Sequence, residues 1–248
     1  PSHQIGPCQI RDGLLYVSVA DANQPQKSQR MDSLLGKILR MTFDGRPSPE
    51  NPFYQDDDIS NPQNYIWASG LRNPFGLKIV GDQVFVSDNG GVIDRFLQVR
   101  EGGNYLWDGT DMSIGTNADV VFNPGRGVAQ LDSYPPNYGL FPDRFKDSFF
   151  LTMTSSPLVR REGFPAIWVV PYDFSQGKLT AVPKNLLRYR GQQIQMVAAL
   201  GFGPDGLYFA PIVPSNGESS PVLKIKYSPE ANYPFTLEEN LNPVVLMN

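Results

Sequence analysis

One cysteine and one histidine are all that 248 residues contain of either. A lone Cys8 cannot close an internal disulfide, and no Cys/His cluster exists to hold zinc. A nucleophilic triad would have to use His3, and no G-x-S-x-G elbow presents a serine to it. Walker and Rossmann glycine fingerprints are absent as well. Lysine and arginine number 21 against 25 acids, a net charge of −4. Such a chain has no basic field to hold a phosphate backbone, which excludes a nucleic-acid partner. No run of 18 apolar residues occurs, so no segment reads as a membrane-spanning helix. Helix signals are also sparse: proline and glycine interrupt every candidate but a single helical turn near Ser33.

What the chain does have is turns. Glycine and proline stand at 23 each, a composition suited to short strands joined by tight connections. Four segments share one design: "DGLLYVSVAD", "GDQVFVSDNG", "KDSFFLTMTS" and "DGLYFAPIVP", starting at residues 12, 81, 146 and 205. Each opens on a turn with aspartate, runs through β-branched and aromatic residues, and closes on small polar residues, glycine or proline. Each follows a short apolar run ("IGPCQI", "FGLKIV", "GLFPDRF", "VAALGF"). Each precedes another strand-like run ("GKILRMTFD", "DRFLQVR", "AIWVVPYDF", "VLKIKYSP"). "KILRMTF" and "VLKIKY" alternate apolar and polar, the mark of a half-buried strand. Three or four antiparallel strands per period is the content of a β-propeller blade. The expectation is therefore an all-β chain of about four four-stranded antiparallel blades over residues 1–229. Stretches 45–65 and 102–140 read as surface loops, and 230–248 as a C-terminal tail that wraps the surface or is poorly ordered.

Five phrases carry a resemblance: "SHQIG", "LLGKILRMTFDGRPSPENPF", "IWASGLRNPFGL", "VSDNGGVIDRFLQVREGGNYLW" and "GFGPDGLYFAPI". In this order they resemble the glucose/sorbosone dehydrogenase family, the soluble quinoprotein sugar dehydrogenases. The resemblance implies a six-bladed propeller that binds pyrroloquinoline quinone (PQQ) and calcium, of which this chain would hold the last four blades. The remaining blades would then lie on a missing segment or a separate chain, since an open arc leaves sheet edges uncovered. The start at Pro1 agrees with a fragment or a cleaved chain. The resemblance further implies a periplasmic or extracellular location, a sugar substrate, and a cytochrome or other external electron acceptor.

Carried over residue by residue, the resemblance makes His3 the base that takes the proton of the sugar's anomeric hydroxyl, a role imidazole suits. Ser2 stands where the family has an orienting aspartate. Arg72 and Asn73 would face the quinone: a guanidinium fork matches a carboxylate or quinone oxygen, and the amide donates to a second oxygen. Asn89 would belong to the cofactor site, and the carbonyls of Gly90 and Gly91 would ligate calcium, a hard cation. Gly91 replaces the family's more frequent proline. Asp94 is placed to orient Arg72, and Arg95 replaces a glutamate of a second, structural calcium site. Arg188 and Arg190 in "RYR" would meet further PQQ carboxylates, although they lie farther ahead of "GPDG" than the family's phrase. Tyr105 and Trp107 read as packing aromatics. The alternative is a propeller that has lost its cofactor and serves as a protein- or carbohydrate-binding scaffold. An outer-edge position for Arg188 and Arg190 would favour it.

Overall fold

Each repeat closes as an antiparallel meander, because its strands alternate or bury apolar residues and the turns between them carry the residues that turns require. The computed structural model describes residues 3–135, 138–154, 164–189, 197–211, 221–230, 235–238 and 245–247. The chain divides into two compact units, residues 1–125 and 126–248.

The first unit contains two four-stranded sheets. One runs β1 (Ile5–Arg11), β2 (Leu14–Val19), β3 (Lys37–Met41), β4 (Ile66–Ser69), each strand beside the next. The other runs β5 (Pro74–Val80), β6 (Gln83–Asp88), β7 (Asp94–Val99), β8 (Val120–Phe122) in the same way. The β1–β2 hairpin turns on Asp12 and Gly13, both at positive φ (51° and 73°), the two-residue geometry that matches strand twist. Tyr16, Ile38, Trp67, Leu77, Val84, Val86 and Leu97 from the two sheets form one buried cluster. Burial of each such side chain contributes about 1.5–3 kcal/mol before chain entropy is set against it.

The second unit repeats the plan. Its first sheet holds β9 (Val128–Ser133), β10 (Ser148–Met153), β11 (Phe164–Asp173) and, after the two-residue β12 (Lys178–Leu179) that pairs with β11, β13 (Lys184–Tyr189). Its second holds β14 (Val197–Gly203), β15 (Gly206–Pro211), β16 (Leu223–Tyr227) and β17 (Phe235–Glu238). A last strand, β18 (Val245–Met247), adds to the first sheet beyond β13. An aromatic cluster of Tyr134, Phe141, Phe145, Phe150 and Phe202 fills this unit, with Phe150 and Phe202 edge to face at 4.9 Å. Four-stranded antiparallel sheets in chain order are propeller blades, and the expected all-β, partial-propeller fold is the one observed.

Several details differ from expectation. Stretch 102–140 is not loop throughout: it supplies β8, β9 and a short helix, α1 (Asp111–Ile114), capped by the Thr110 side chain. The strand ahead of β10 is β9, not "GLFPDRF", whose residues 143–145 form a 3-10 turn. The single turn expected near Ser33 lies earlier, as a 3-10 turn at Pro25–Gln29. β17 and β18 fall within the expected tail. Strand β3 is buried on both faces, including Lys37 and Arg40. The reason is the 45–65 segment, which folds over it: Phe53 and Tyr65 pack against Leu39 and Ile66, and Asn51 bonds the Arg40 side chain.

Candidate functional site

The first unit gathers five separate segments at one end of its strands. Asp21 donates its backbone N–H to Arg72 O (2.8 Å), and Ala22 to His3 O (3.0 Å). Asn89 N–H donates to Asn73 O (3.0 Å), and Trp107 N–H to Gly70 O (3.0 Å). Residues 3, 21, 70–73, 89 and 107 are thus tied to one another through the main chain.

The Asp21 carboxylate is the hub of the side chains. It is buried. Its Oδ1 lies 2.8 Å from His3 Nδ1 and accepts from Asn23 N–H at 2.9 Å. Its Oδ2 accepts from the indole N–H of Trp107 at 2.9 Å. Burial pushes the Asp21 carboxyl up, but the hydrogen bonds from His3, Trp107 and Asn23 outweigh it and hold the group below its ordinary value. Asp21 is therefore ionised at neutral pH and can only accept, so the hydrogen of this contact sits on His3 Nδ1, and in the neutral ring Nε2 is the bare nitrogen. The carboxylate that orients His3 comes from 18 positions downstream, not from the neighbouring position that holds Ser2.

Arg72 forms the second arm. Its Nη1 donates to Asn89 O (2.7 Å), and its guanidinium lies 5.7 Å from the centre of the Trp107 ring, a cation–π contact. Its Nε and Nη2, like the Asn73 side-chain amide, make no hydrogen bond among the described residues. Beneath this turn sits a fully buried ion pair. Asp88 accepts from the backbone N–H groups of Arg72 (3.2 Å) and Asn73 (2.7 Å) and from Arg95 Nε (3.0 Å) and Nη2 (2.8 Å). Arg95 also reaches the carbonyls of Gly70, Tyr105 and Thr116. Asp88, rather than Asp94, holds the Arg72 turn. Asp94 accepts instead from Gly90 N–H at 2.8 Å. At Arg95, where the resemblance puts a glutamate for a second calcium, a guanidinium already supplies the positive charge.

These arms border an open recess of about 290 Å³ lined by Asp21, Asn23, Pro25, Arg72, Gly91, Trp107, Gly109 and Asp111. His3 reaches this wall through Asp21. Gly90 has a packing reason to be glycine: a Cβ there would fall 1.5 Å from Ile93 O. At Gly91 a Cβ would meet nothing nearer than Asp111 Oδ1 at 3.6 Å. Among the described residues no cluster of three or more His, Cys, Asp or Glu side chains could hold a metal. A cation here would rest on carbonyl oxygens, as the reading of Gly90 and Gly91 requires.

The other expected positions lie elsewhere. Arg188 is on β13, the strand between β11 and β18, with Leu246 and Pro165 as its strand partners. Arg190 lies outside the described residues. Tyr105 packs in the core as expected and bonds Gln98 O and Arg100 N through its hydroxyl. Asp21, Asp88 and Trp107 were not expected at the site. Hairpin register is the signal that finds the first: Ile5 pairs with Val19, so two residues outward His3 faces Asp21.

A family model described as "Glucose / Sorbosone dehydrogenase" matches residues 6–124, the segment that holds nearly all of this site. "Aldose sugar dehydrogenase YliI" of Escherichia coli (strain K12) is 23% identical over 232 residues, covering 83% of this chain and 56% of that protein. "HIPL1 protein" of Arabidopsis thaliana is 30% identical over 160 residues, covering 49% and 23%. Among solved structures, the PQQ-bound form of an aldose sugar dehydrogenase from Streptomyces coelicolor superposes with a TM-score of 0.63 at 20% identity, covering 84% of this chain and 57% of that one. The apo form of the soluble aldose sugar dehydrogenase from Escherichia coli gives 0.65 at 18% identity, covering 83% and 60%. At those identities the likeness is one of fold. The chain spans little more than half the length of the longest-matching relatives.

Proposed function

Because this chain belongs to the glucose/sorbosone dehydrogenase family, we propose that it forms part of a PQQ-dependent aldose dehydrogenase that oxidises the C1 hydroxyl of a sugar to the lactone. The observation that carries this reading is the meeting of an oriented imidazole and an incompletely bonded guanidinium at the Asp21–Trp107 pair. Both groups are needed when a proton and a hydride leave the same carbinol, one to a base and the other to an acceptor whose charge must be held.

The residues present fit part of such a cofactor. Bound PQQ would supply the two-electron acceptor. The Nε and Nη2 edge of Arg72 and the Asn73 amide would hold its oxygens, with Asn89 O fixing Arg72 in place. The carbonyls of Gly90 and Gly91 would hold calcium, with Asp111 beside them. His3 Nε2 takes the proton of the anomeric hydroxyl. Asp21 keeps the opposite ring nitrogen protonated and stabilises the imidazolium that results. Arg72 and Asn73 place hydrogen-bond donors where negative charge collects. One cationic side chain leaves most of a tricarboxylate to be met by other residues, the part that the resemblance gives to Arg188 and Arg190. The electrons would pass to a cytochrome or another external acceptor, and the protein would work in the periplasm or outside the cell. Among the described residues no helix is long and apolar enough to cross a membrane.

The alternative is the cofactor-free scaffold, which an outer-edge position of Arg188 would favour; Arg188 lies on β13, the fourth strand counted from β9, with β18 beyond it. The two readings separate in one experiment. The longest native form of the protein is titrated with PQQ in the presence of calcium, and the quinone spectrum is followed on adding glucose. Binding with sugar-dependent reduction, lost in Arg72→Ala and His3→Ala, is the expected result. A folded sample that binds no PQQ at tens of micromolar refutes the dehydrogenase and leaves the scaffold.

A further inference from the structure

We propose that Trp107 is a positioning residue that couples the two arms of this site: its indole N–H locks Asp21, and through it the tautomer of His3, while its ring face carries Arg72. The proposal deepens the dehydrogenase reading and rests on it for the purpose of the coupling, but the coupling itself is a property of the cofactor-free protein.

A carboxylate held at one oxygen turns about its Cβ–Cγ bond. Asp21 is held at both. Oδ1 takes His3 and the Asn23 N–H, and Oδ2 takes the Trp107 N–H. An indole N–H is a donor only, so this bond cannot invert its sense, and it is buried, where a lost partner is costly. With Oδ2 fixed, Oδ1 stays aimed at Nδ1. A neutral imidazole is then confined to the Nδ1–H tautomer, whose bare Nε2 can take a proton. Without the indole donor, Oδ2 is left buried and unsatisfied. The carboxylate can then turn to recover a partner, and Nδ1 loses its fixed acceptor.

The backbone that carries the ring is held on both its donor and its acceptor side. Trp107 N–H donates to Gly70 O at 3.0 Å, and Trp107 O accepts from Gln29 Nε2 at 3.0 Å. Asn104 exchanges hydrogen bonds with Gln29 (2.8 and 3.2 Å), and Leu106, just before the tryptophan, takes a positive φ of 62°. That is an uncommon conformation for a leucine, and the turn it makes delivers the indole to the site. The Arg72 guanidinium then rests 5.7 Å from the ring centre, so one side chain sets the base and the cation relative to each other. A packing aromatic would need only the ring. The N–H directed at a buried carboxylate and the guanidinium on the ring are what packing alone does not require.

Because His3 is the single histidine, its ring nitrogens can be read without assignment ambiguity. The test is a long-range proton–nitrogen correlation spectrum of the uniformly nitrogen-15-labelled, cofactor-free protein, recorded at a pH that keeps the imidazole neutral. The parent is expected to show one protonated-type and one bare-type ring nitrogen, well separated. In Trp107→Phe, which keeps an aromatic ring and removes the N–H, the two nitrogen shifts should move toward each other as the tautomers mix. Asp21→Asn reads the same bond from the other side, and there the Trp107 indole N–H resonance should move upfield. The second variant keeps the test decisive if the first fails to fold. Ring nitrogens that stay as in the parent in folded Trp107→Phe, or an indole resonance unmoved in Asp21→Asn, overturn the proposal. Failure of the dehydrogenase reading would appear instead as an absence of PQQ binding with the tautomer pattern intact.

Discussion

The Asp88–Arg95 pair offers the sharpest quantitative test of how the site is held. Both side chains are fully buried, and their contacts reach the Arg72–Asn73 turn and the carbonyls of residues 70, 105 and 116. Arg95→Met removes the guanidinium and leaves a buried carboxylate facing only two backbone N–H groups. Asp88→Asn keeps the shape and leaves a buried cation beside a neutral amide. Breaking a buried pair from one side costs about 3–5 kcal/mol, because the surviving charge is left uncompensated. With a urea dependence of about 2 kcal/mol per molar for a chain of this kind, each single variant should lower the urea midpoint by about 1.5–2.5 M. The double variant removes both charges, so its loss should fall short of the sum of the singles by at least about 2 kcal/mol. Amide exchange adds a local readout, since the Arg72 and Asn73 N–H groups lose an ionised acceptor in Asp88→Asn and should exchange faster. Single-variant losses below about 1 kcal/mol, or additivity within about 0.5 kcal/mol, would refute the view that this pair is the foundation of the turn.

Three further outcomes follow from the same geometry. Gly90→Ala forces a Cβ to within 1.5 Å of Ile93 O and should cost more than about 2 kcal/mol in denaturant unfolding, while Gly91→Ala should stay within about 0.5 kcal/mol. Lys37 is buried against the carbonyls of Lys27, Ser28 and Leu35, and burial lowers its pKa from 10.5 to about 8. Between those values the unfolded chain binds a proton that the folded chain does not, so its contribution to stability rises with pH across that window. Lys37→Met should flatten this part of a stability–pH profile. Asp21 is held below its ordinary 3.8, so its contribution is present above that pH and is lost as pH falls through the lower folded value. Asp21→Asn should therefore remove part of the acid-induced loss of stability.

How much of this protein could be read from its residues depends on whether the controlling interaction is local. The four repeats determined the β class and most strand positions, because alternation, β-branching and turn residues act over a few neighbours. β8 and β9 are not legible in the sequence, since "VVF" and "VAQLDS" are short and sit inside a stretch rich in glycine, asparagine and proline. Strand β3 looked half-exposed because its lysine and arginine alternate with apolar residues. Only the tertiary structure brings Asn51 and backbone carbonyls to those cations. The same division holds at the site. The sequence by itself determined that His3, Arg72, Asn73 and Gly90 belong to recognisable phrases, and that His3 is the one imidazole of this chain. The tertiary structure decided that Asp21 orients His3, that Asp88 and Arg95 underlie the Arg72 turn, and that Trp107 joins the two arms. Those partners are separated by 18, 16 and 86 residues along the chain, and a hydrogen bond depends on distance in space, which sheet pairing and loop closure set only after the chain has folded.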